Sequence, residues 1–354
     1  MTTVSMSVVT ECLRHHVALN QSVWLWGPPG IGKTQLPHQL VTEPQFKGFG
    51  AITWLANLRD PVDARGLPVP DLVNETTKWL KPSELPIEGN KAFPEKGVIV
   101  FDELNTASPA MMNVALGMVL ERRVGEHKLK PGWVPIATGN RMKDRVAVQR
   151  VGTALKDRFF HYDIEPDIEA WSKHANQMNI DPRLVAFLRF RCGKRKDGQA
   201  LHSENFLHRM PKDDTDNSMC TPRGWFEVDK VIKLKVAQGI RLHMIAAKVG
   251  YDVATELEGF LRVFEQLPSL QDVVNNPAGA KMPPDTMPAA KYAVSSLIAR
   301  SATKQTFKPI IEYAQRLDRE FEVMTVVDAC RRDEELTRTQ AYVQWAVNNQ
   351  DLHM

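Results

Sequence analysis

The 354-residue chain lacks the features of a disulfide framework, a structural zinc site or a membrane anchor. Its four cysteines, Cys12, Cys192, Cys220 and Cys330, lie far apart and form no CxxC pair, which is typical of reduced thiols in the cytosol. No uncharged apolar run approaches the ~20 residues of a membrane span, and the N-terminus carries no basic-then-apolar signal. We therefore expect a cytoplasmic protein with no membrane span.

An excess of charge of one sign is also missing. The 45 Lys and Arg residues nearly balance 42 Asp and Glu residues, and the formal net charge of +3 is too small to predict nucleic-acid binding by itself. Hydrophobic residues make up 43% and charged residues 25% of the chain, as in an ordinary globular protein. The length fits two domains or three small ones, and we find no internal repeat.

The segment Gly27–Thr34 reads GPPGIGKT and fits the phosphate-loop pattern GxxxxGK[ST], the Walker A motif. Its glycines allow a tight turn whose N–H groups face phosphate oxygens, Lys33 can reach the β- and γ-phosphates, and the Thr34 hydroxyl can bind Mg²⁺. The flanking segments Ser22–Trp26 and Gln35–Val41 predict a buried strand and a helix whose N-terminus faces the anion. The expected nucleotide-binding residues are Gly27, Pro28, Pro29, Gly30, Ile31, Gly32, Lys33 and Thr34.

A second motif, Val98–Glu103, reads VIVFDE, with four apolar residues that predict a buried strand and two acids at its end. Because open α/β sheets bind ligands at the carboxyl ends of their strands, we expect both acids beside the phosphate loop. Asp102 would hold Mg²⁺, directly or through water, and Glu103 would orient and polarise the attacking water. Taken alone, the motif also fits a strand that ends in two solvated acids.

Two further strands are predicted at Ala51–Ala56 and Val134–Thr138. Asn140 lies just beyond the second of them, where an amide could contact the attacking water or the γ-phosphate. The segment Arg59–Pro86 is rich in proline and glycine, and it is either an insertion that carries a loop toward a partner or substrate or a plain surface loop. Glu121–Pro131 predicts a basic hairpin with Gly125 at its turn.

Two arginines stand at helix ends in the predicted structure. Arg158 lies in the predicted helix end Ala154–Phe160, where it is either a local salt-bridge partner or reaches a neighbouring subunit's nucleotide. Thr221 is a good N-cap and Pro222 suits the first helical position, which puts Arg223 in the first turn of a helix. The helix dipole disfavours a cation there, so this position indicates an anion in front of the arginine.

The alternation of strands and helices stops near Tyr162–Pro166, and the pattern is helical from Asp167 onward, with one helix predicted at Phe307–Arg332. A proline-rich linker, Asn275–Pro288, divides this helical part. The predicted domains are an α/β nucleotide-binding core over residues 1–165, an all-helical lid over 166–275 and a helical C-terminal extension over 289–354.

The chain resembles the AAA+ ATPases, in particular the MoxR group near the nitric-oxide-reductase and Rubisco-activating branch. The resemblance is carried by the following motifs and residues in this order: Gly27–Thr34, Val98–Glu103, Asn140, Arg158 and Arg223. The resemblance covers residues 23–265 and rests on the pieces RDPVDARGLPVP, FDELNTASP, ATGNRMKDR, ALKDRFFHYDIEPDIEAW and TPRGW. Residues 307–345 look like the tails of MoxR-like proteins encoded near phage genes. The chain departs from the family pattern at Pro37 and in the long polar stretch before Thr221.

The resemblance implies a P-loop AAA+ core, with a parallel sheet flanked by helices, followed by an all-α lid and a small helical extension. It matches Asn140 to sensor 1, Arg158 to the trans-acting arginine finger and Arg223 to sensor 2. The insertion in the second helix would lie in Arg59–Pro86 and the hairpin before sensor 1 in Glu121–Pro131. In such ATPases these two elements line the central pore or the partner-facing side of a hexamer.

By this resemblance we expect a Mg²⁺-dependent ATPase that forms a homo-oligomeric ring, expected to be a hexamer, and remodels or activates a client protein. The expected catalytic residues are Lys33, Glu103, Asn140, Arg158 and Arg223, and the expected metal ligands are Thr34 and Asp102. MoxR membership implies a partner with a von Willebrand factor A domain, while the sequence does not indicate the client.

Three other functions fit parts of the sequence. In a nucleic-acid motor or loader of the AAA+ class, Glu121–Pro131 and the basic run Lys194–Lys196 would contact phosphates, although the latter also fits a solvated loop. A nucleotide-binding scaffold without turnover would have little use for Glu103 and Asn140. A monomeric P-loop kinase would leave Arg158 without a neighbouring site to complete.

Overall fold

The computed structural model describes residues 3–144, 149–193, 204–211, 216–265, 267–285 and 287–349. The chain forms two units, Met1–Asp167 and Ile168–Met354, and each unit has its own hydrophobic cores. The basic run Lys194–Lys196 lies outside the described residues.

The first unit combines strands and helices. Its strands are β1 (Thr3–Val4), β2 (Val23–Trp26), β3 (Phe49–Leu55), β4 (Leu67–Asp71), β5 (Thr76–Leu80), β6 (Lys96–Asp102), β7 (Arg123–Val124), β8 (His127–Lys128), β9 (Gly132–Gly139) and β10 (Phe160–Ile164). Its helices are α1 (Met6–Ala18), α2 (Gln35–Leu40), α3 (Pro61–Arg65), α4 (Pro109–Leu120) and α5 (Thr153–Lys156).

Six strands form one parallel sheet in the order β1-β10-β2-β9-β6-β3. Successive side chains of a strand point to opposite faces, and both faces of this sheet are covered. Val23 and Leu25 pack in the same core as α1 and α2, whereas Trp24 lies in the core that contains α4. The predicted parallel sheet flanked by helices is confirmed.

The sheet topology brings three loops together. Because all six strands are parallel, β2, β6 and β9 end at the same edge, which we call the carboxyl edge. The phosphate loop follows β2, the two acids end β6, and Asn140 follows β9. The opposite edge, where the strands begin, is called the amino edge.

One predicted helix is wrong. The segment Ala154–Phe160 does not continue as a helix, because α5 ends at Lys156 and Phe160 begins β10. The Phe160 N–H donates to the Ser22 carbonyl at 2.9 Å, and Phe160 then pairs with Val23 of β2. Pairing with a central strand thus overrides the local helical pattern.

The segment Arg59–Pro86 is more ordered than a loop. It contains α3 and an antiparallel hairpin made by β4 and β5. The Asp71 Oδ1 accepts the N–H groups of Val73 and Asn74 at 3.2 and 3.3 Å, which closes the turn. At this tip Leu72 and Val73 are 86% and 91% exposed. Whether the hairpin meets a partner stays a prediction.

The predicted hairpin at Glu121–Pro131 is confirmed. Strands β7 and β8 pair antiparallel, with Val124 opposite His127. Gly125 has φ +56°, in the left-handed region that the tight turn between them requires.

In the described residues of the second unit, the regular secondary structure is helical apart from an isolated antiparallel bridge between Arg209 and Cys220. Its helices are α6 (Ile168–Gln177), α7 (Pro182–Cys192), α8 (Pro222–Ile232), α9 (Gln238–Val249), α10 (Tyr251–Glu265), α11 (Leu270–Asn275), α12 (Pro288–Arg300), α13 (Phe307–Ala314), α14 (Arg319–Arg332) and α15 (Gln340–Asn348). One core is built mainly from α6 to α10 and another from α11 to α15. The division into a lid and a C-terminal extension stays a prediction.

The single helix predicted at Phe307–Arg332 is wrong. It is two helices, α13 and α14, separated where Asp318 adopts the extended backbone of an N-cap. Glu320 and Glu322 follow in the first turn of α14, where acids are favoured by the helix dipole. Leu317, in the connection, is buried in the same core as both helices.

A pair of glycine substitutions tests the packing of the insertion. Gly66 ends α3 with φ +86°, and a Cβ there would lie 1.8 Å from the Leu80 carbonyl oxygen. Gly66→Ala should therefore lower the free energy of unfolding of the first unit by more than about 1 kcal/mol, measured as a lower urea midpoint. Gly239→Ala, where no atom lies within 4 Å of the added Cβ, is the control and should not destabilise. Equal midpoints for both variants would contradict this account.

Candidate functional site

The phosphate loop joins the end of β2 to the start of α2 at the carboxyl edge. Gly30 and Gly32 have φ values of +75° and +98°, which L side chains rarely adopt. Pro37 is the third residue of α2 and is tolerated because the first four N–H groups of a helix have no intrahelical acceptor. The helix then ends after six residues, at Leu40.

Lys33 is buried inside this loop. Its Nζ donates to the carbonyl oxygens of Gly27 and Pro28, both at 2.8 Å, and to Oδ1 of Asn140 at 3.0 Å. Burial lowers the pKa of Lys33 to about 8, while nearby acids, including Asp144, act in the opposite direction. The contact with Asn140 links the loop after β2 to the loop after β9.

Asp102 is the centre of a hydrogen-bonded cluster. Its Oδ1 accepts from the Thr34 hydroxyl at 2.5 Å and from the Thr138 hydroxyl at 2.6 Å. Mg²⁺ in nucleotide sites takes oxygen ligands from one or two protein groups and from the phosphates. The adjacent oxygens of Thr34 and Asp102 fit such an ion. In the described ranges, no group of three or more His, Cys, Asp or Glu residues forms a separate metal site.

Glu103 adopts an unusual backbone conformation next to this cluster. Its φ and ψ of +50° and +39° are left-handed, which is strained for a residue with a Cβ. Its N–H donates to the Thr138 hydroxyl at 3.0 Å, which stabilises this conformation. The Oε2 of Glu103 accepts a weak hydrogen bond from Asn57 at 3.4 Å. Asn57 follows β3, the neighbour of β6, so a fourth strand contributes to the site.

The loop that carries Asn140 is fixed from two sides. The Asn140 backbone oxygen accepts from Nδ2 of Asn105 at 2.8 Å, and both residues are buried. On the other side, Arg141 donates to both carboxylate oxygens of Asp144 at 2.9 and 3.0 Å and to Asp163 at 3.1 Å. The Asn140 side chain therefore has a rigid support.

Arg158 lies away from this cluster. It stands two residues before β10 and hence at the amino edge of the sheet. Its guanidinium pairs with Asp157 at 2.6 Å, and its side chain is 46% exposed. The local salt bridge is thus present, while a role for Arg158 in a neighbouring site stays a prediction.

Arg223 belongs to the second unit. The Thr221 side chain accepts the N–H of Gly224 at 2.9 Å, and Pro222 is the first residue of α8, as predicted. Arg223 is exposed in the first turn of that helix. Its role toward a nucleotide stays a prediction.

Sequence reasoning missed three residues of the site, Asn57, Asn105 and Thr138. Each is a polar residue at or just after the carboxyl end of an apolar strand, which is the signal that singled out Asn140. Their contacts depend on which strands are neighbours, and no local sequence motif indicates the order of the strands in the sheet.

Residues 22–159 match the profile of the AAA domain, dynein-related subfamily. This segment is therefore similar to AAA domains. The match includes the phosphate loop, the acids of β6, Asn140 and Arg158, and it supports nucleotide binding at the carboxyl edge. It does not separate the MoxR group from other members of the subfamily.

Solved structures with a similar fold are distant from this chain. A RuvB variant from Thermotoga maritima is 13% identical, with 78% of this chain and 74% of that chain covered and a TM-score of 0.39. NtrX from Brucella abortus is also 13% identical, with 99% and 68% covered and a TM-score of 0.39. Hsp104 with ATPγS and casein is 15% identical, with 49% and 35% covered and a TM-score of 0.37. No curated protein matches the chain significantly. The similarity to AAA domains rests on the family match alone.

Across the described residues, none of the helices combines the length and apolarity needed to cross a membrane.

The buried Lys33 predicts a pH dependence of nucleotide binding. Its pKa of about 8 in the free protein should rise toward the ordinary value when anionic phosphates replace the carbonyl acceptors. Binding above pH 8 should therefore take up a proton, and affinity should fall as the pH rises from about 8. Calorimetric titration of ADP in buffers of different ionisation enthalpy measures this uptake. Proton uptake that is absent at pH 9, or equal at pH 6.5 and pH 9, would contradict the prediction.

The Thr138 hydroxyl should matter for Mg²⁺-dependent binding. Thr138→Val keeps the side-chain shape but removes the group that orients Asp102 and accepts the Glu103 N–H. An unsatisfied buried group costs about 1–3 kcal/mol, so nucleotide affinity in Mg²⁺ should fall roughly tenfold, with little change in EDTA. Fluorescence titration in both conditions measures the ratio. Thr325→Val, at a buried threonine in the second unit, is the control and should leave the ratio unchanged.

Proposed function

We propose that the protein is a Mg²⁺-dependent ATPase of the AAA+ class that acts as a homo-oligomeric ring. The observation that carries this proposal is the separation of its charged groups. Lys33, Asp102 and Glu103 lie at the carboxyl edge of the sheet, whereas Arg158 lies at the amino edge. A site that uses all of them needs two protomers.

The size of this separation follows from the sheet. Strands β10 and β2 are parallel neighbours, with Phe160 opposite Val23 and Asp163 opposite Trp26. The five residues of β10 span about 16 Å at the usual rise of a strand. An extended arginine is shorter than this, and the Arg158 guanidinium is paired with the adjacent Asp157. Its own phosphate loop is therefore out of reach.

The cluster at the carboxyl edge supplies the groups that hydrolysis needs. Lys33 would bind the β- and γ-phosphates, and Thr34 and Asp102 would hold Mg²⁺. The bound metal ion would neutralise the negative charge of the phosphates. Glu103 would orient and polarise the attacking water, after it exchanges the weak hydrogen bond from Asn57 for one to that water. Asn140 would lose its hydrogen bond from Lys33 and contact the γ-phosphate or the water instead.

Arg158 would complete this site from the neighbouring protomer. In the separate chain its guanidinium is held by Asp157, and on assembly it would exchange that carboxylate for a γ-phosphate. An arginine supplied in trans can raise the hydrolysis rate by about 10³–10⁵. Catalysis would thus rest on positioning and electrostatic stabilisation, and assembly would switch it on. Arg223 would add a further contact to the phosphates.

The insertion hairpin supports a role in remodelling. The side chains of Leu72 and Val73 at its tip are almost fully exposed, although burial of apolar surface is the main gain of folding. Such a tip is suited to contact another protein. We propose a cytoplasmic ring of the MoxR type, expected to be a hexamer, that remodels or activates a client protein. A partner with a von Willebrand factor A domain is the expected adaptor.

The first experiment measures steady-state ATP hydrolysis against protein concentration, with and without DNA, together with the mass in ATP by light scattering. Hydrolysis should rise with assembly and ignore DNA. Arg158→Ala should lower turnover by about 10³-fold or more while ATP binding persists, and Glu103→Gln should bind ATP without turnover. Arg338→Ala removes an exposed arginine that pairs with Glu335 and is the matched control.

Three outcomes would overturn parts of this proposal. Normal turnover by Arg158→Ala would remove the trans-acting finger, and continued turnover by Glu103→Gln would mean that another residue positions the water. Activity that requires DNA and falls steeply with salt would instead favour a nucleic-acid motor.

A further inference from the structure

Three aromatic rings stack beside the phosphate loop. Trp24 and Trp26 on β2 lie on the same face, with ring centroids 4.6 Å apart and planes 7° from parallel. His161 on β10 joins this stack, with its centroid 5.9 Å from Trp24 and 6.1 Å from Trp26. Phe159 covers the edge of Trp24 at 5.1 Å. The imidazole is therefore held in one plane by its neighbours.

Both nitrogens of His161 make hydrogen bonds. The Trp26 indole N–H donates to Nδ1 at 2.8 Å, and Nε2 lies 2.7 Å from the Lys156 carbonyl oxygen. An indole is only a donor and a carbonyl only an acceptor. Nδ1 must then be unprotonated and Nε2 protonated, which fixes one neutral tautomer. This ring accepts on one side and donates on the other.

The two partners of His161 belong to different functional segments. Trp26 ends β2 and directly precedes Gly27, the first residue of the phosphate loop. Lys156 ends α5, two residues before Arg158. The Lys156 oxygen also accepts the Phe159 N–H at 3.2 Å, which closes the turn that contains Arg158. His161 thus joins the entry of the phosphate loop to the turn that presents the arginine.

Leu155 and Phe159 on either side of this turn are buried in the core of the first unit, whereas residues 156–158 between them are exposed. Helix α5 is only four residues long, and the Arg158 side chain is partly exposed and paired with an exposed Asp157. A short, exposed segment of this kind opens locally at low free energy. The stack of Trp24, Trp26 and His161 is built on the fully buried Trp24 and is rigid by comparison.

We propose that His161 is a positioning residue for Arg158. By its two hydrogen bonds it fixes the turn of residues 156–159 to β2, so that Arg158 is presented to a neighbouring protomer in one orientation. This inference rests on the proposed function, because it assumes that Arg158 acts in the neighbouring site. A small displacement of a group that stabilises a transition state can lower the rate by about a hundredfold.

A mixed assembly separates the two protomers' roles. A donor protomer with Lys33→Ala cannot use its own site but can present Arg158, and an acceptor protomer with Arg158→Ala can hydrolyse ATP only with a donor beside it. His161→Asn keeps an acceptor for Trp26 and loses the bond to Lys156. His161→Gln keeps a donor for Lys156 and loses the bond to Trp26. Each variant is introduced into the donor alone or into the acceptor alone.

We expect either variant in the donor to lower kcat of the mixture roughly tenfold to a hundredfold, with KM for ATP unchanged, because the active sites belong to the acceptor. The same variant in the acceptor alone should change kcat much less. Light scattering confirms that assembly is unchanged. His15→Asn in the donor, at a histidine whose side chain is 75% exposed on α1, is the matched control and should have no effect.

The outcomes distinguish this inference from the function on which it rests. An unchanged kcat with both donor variants overturns the role of His161 while the trans-acting arginine stands. Equal losses of kcat with the variant in the donor and in the acceptor indicate a general structural role of His161 and also overturn its positioning role. A mixture of the unmodified donor and acceptor that fails to hydrolyse ATP overturns the trans-acting arginine itself, and the positioning role with it.

Discussion

The structure of the site depends on one carboxylate oxygen. Oδ1 of Asp102 accepts hydroxyl groups from Thr34 and Thr138, so that the residues after β2, at the end of β6 and at the end of β9 are held together. These bonds are possible only because the three strands are parallel neighbours that end at one edge. If one of these strands were antiparallel, its polar group would lie at the amino edge of the sheet instead. The nucleotide site is in this sense a product of topology.

The hydrophobic cores beneath the site stabilise it, whereas some groups of the site lower the stability of the fold. Val98, Ile99, Val100 and Phe101 of β6 are fully buried, and the two acids follow at once. Placing Lys33 in this setting lowers its pKa, and the left-handed Glu103 adds backbone strain. The buried lysine and the strained backbone are tolerated because the packed apolar strands on both sides fix the course of the chain. Strain of this kind is typical of functional sites.

The sequence predicts a large part of this arrangement, and the limits of the prediction have physical causes. The phosphate loop, the acids of β6 and Asn140 were predictable because each follows an apolar strand within one contiguous segment. Asn57 and Thr138 were not, since their roles depend on the order of strands in the sheet. The helix expected at Ala154–Phe160 failed for a related reason, because pairing with β2 outweighs local propensity. The ordered hairpin within residues 59–86 was also not predicted, because proline and glycine interrupt the alternation of polar and apolar residues that indicates a strand.

The stacked pair of Trp24 and Trp26 has an optical consequence. Two indoles 4.6 Å apart and nearly parallel have coupled electronic transitions, which make their circular dichroism and fluorescence sensitive to small changes in ring geometry. Because Trp26 directly precedes Gly27, we expect a change in the backbone at the start of the phosphate loop to alter the geometry of this pair. We therefore expect the tryptophan spectra to report nucleotide binding at this loop without an attached dye.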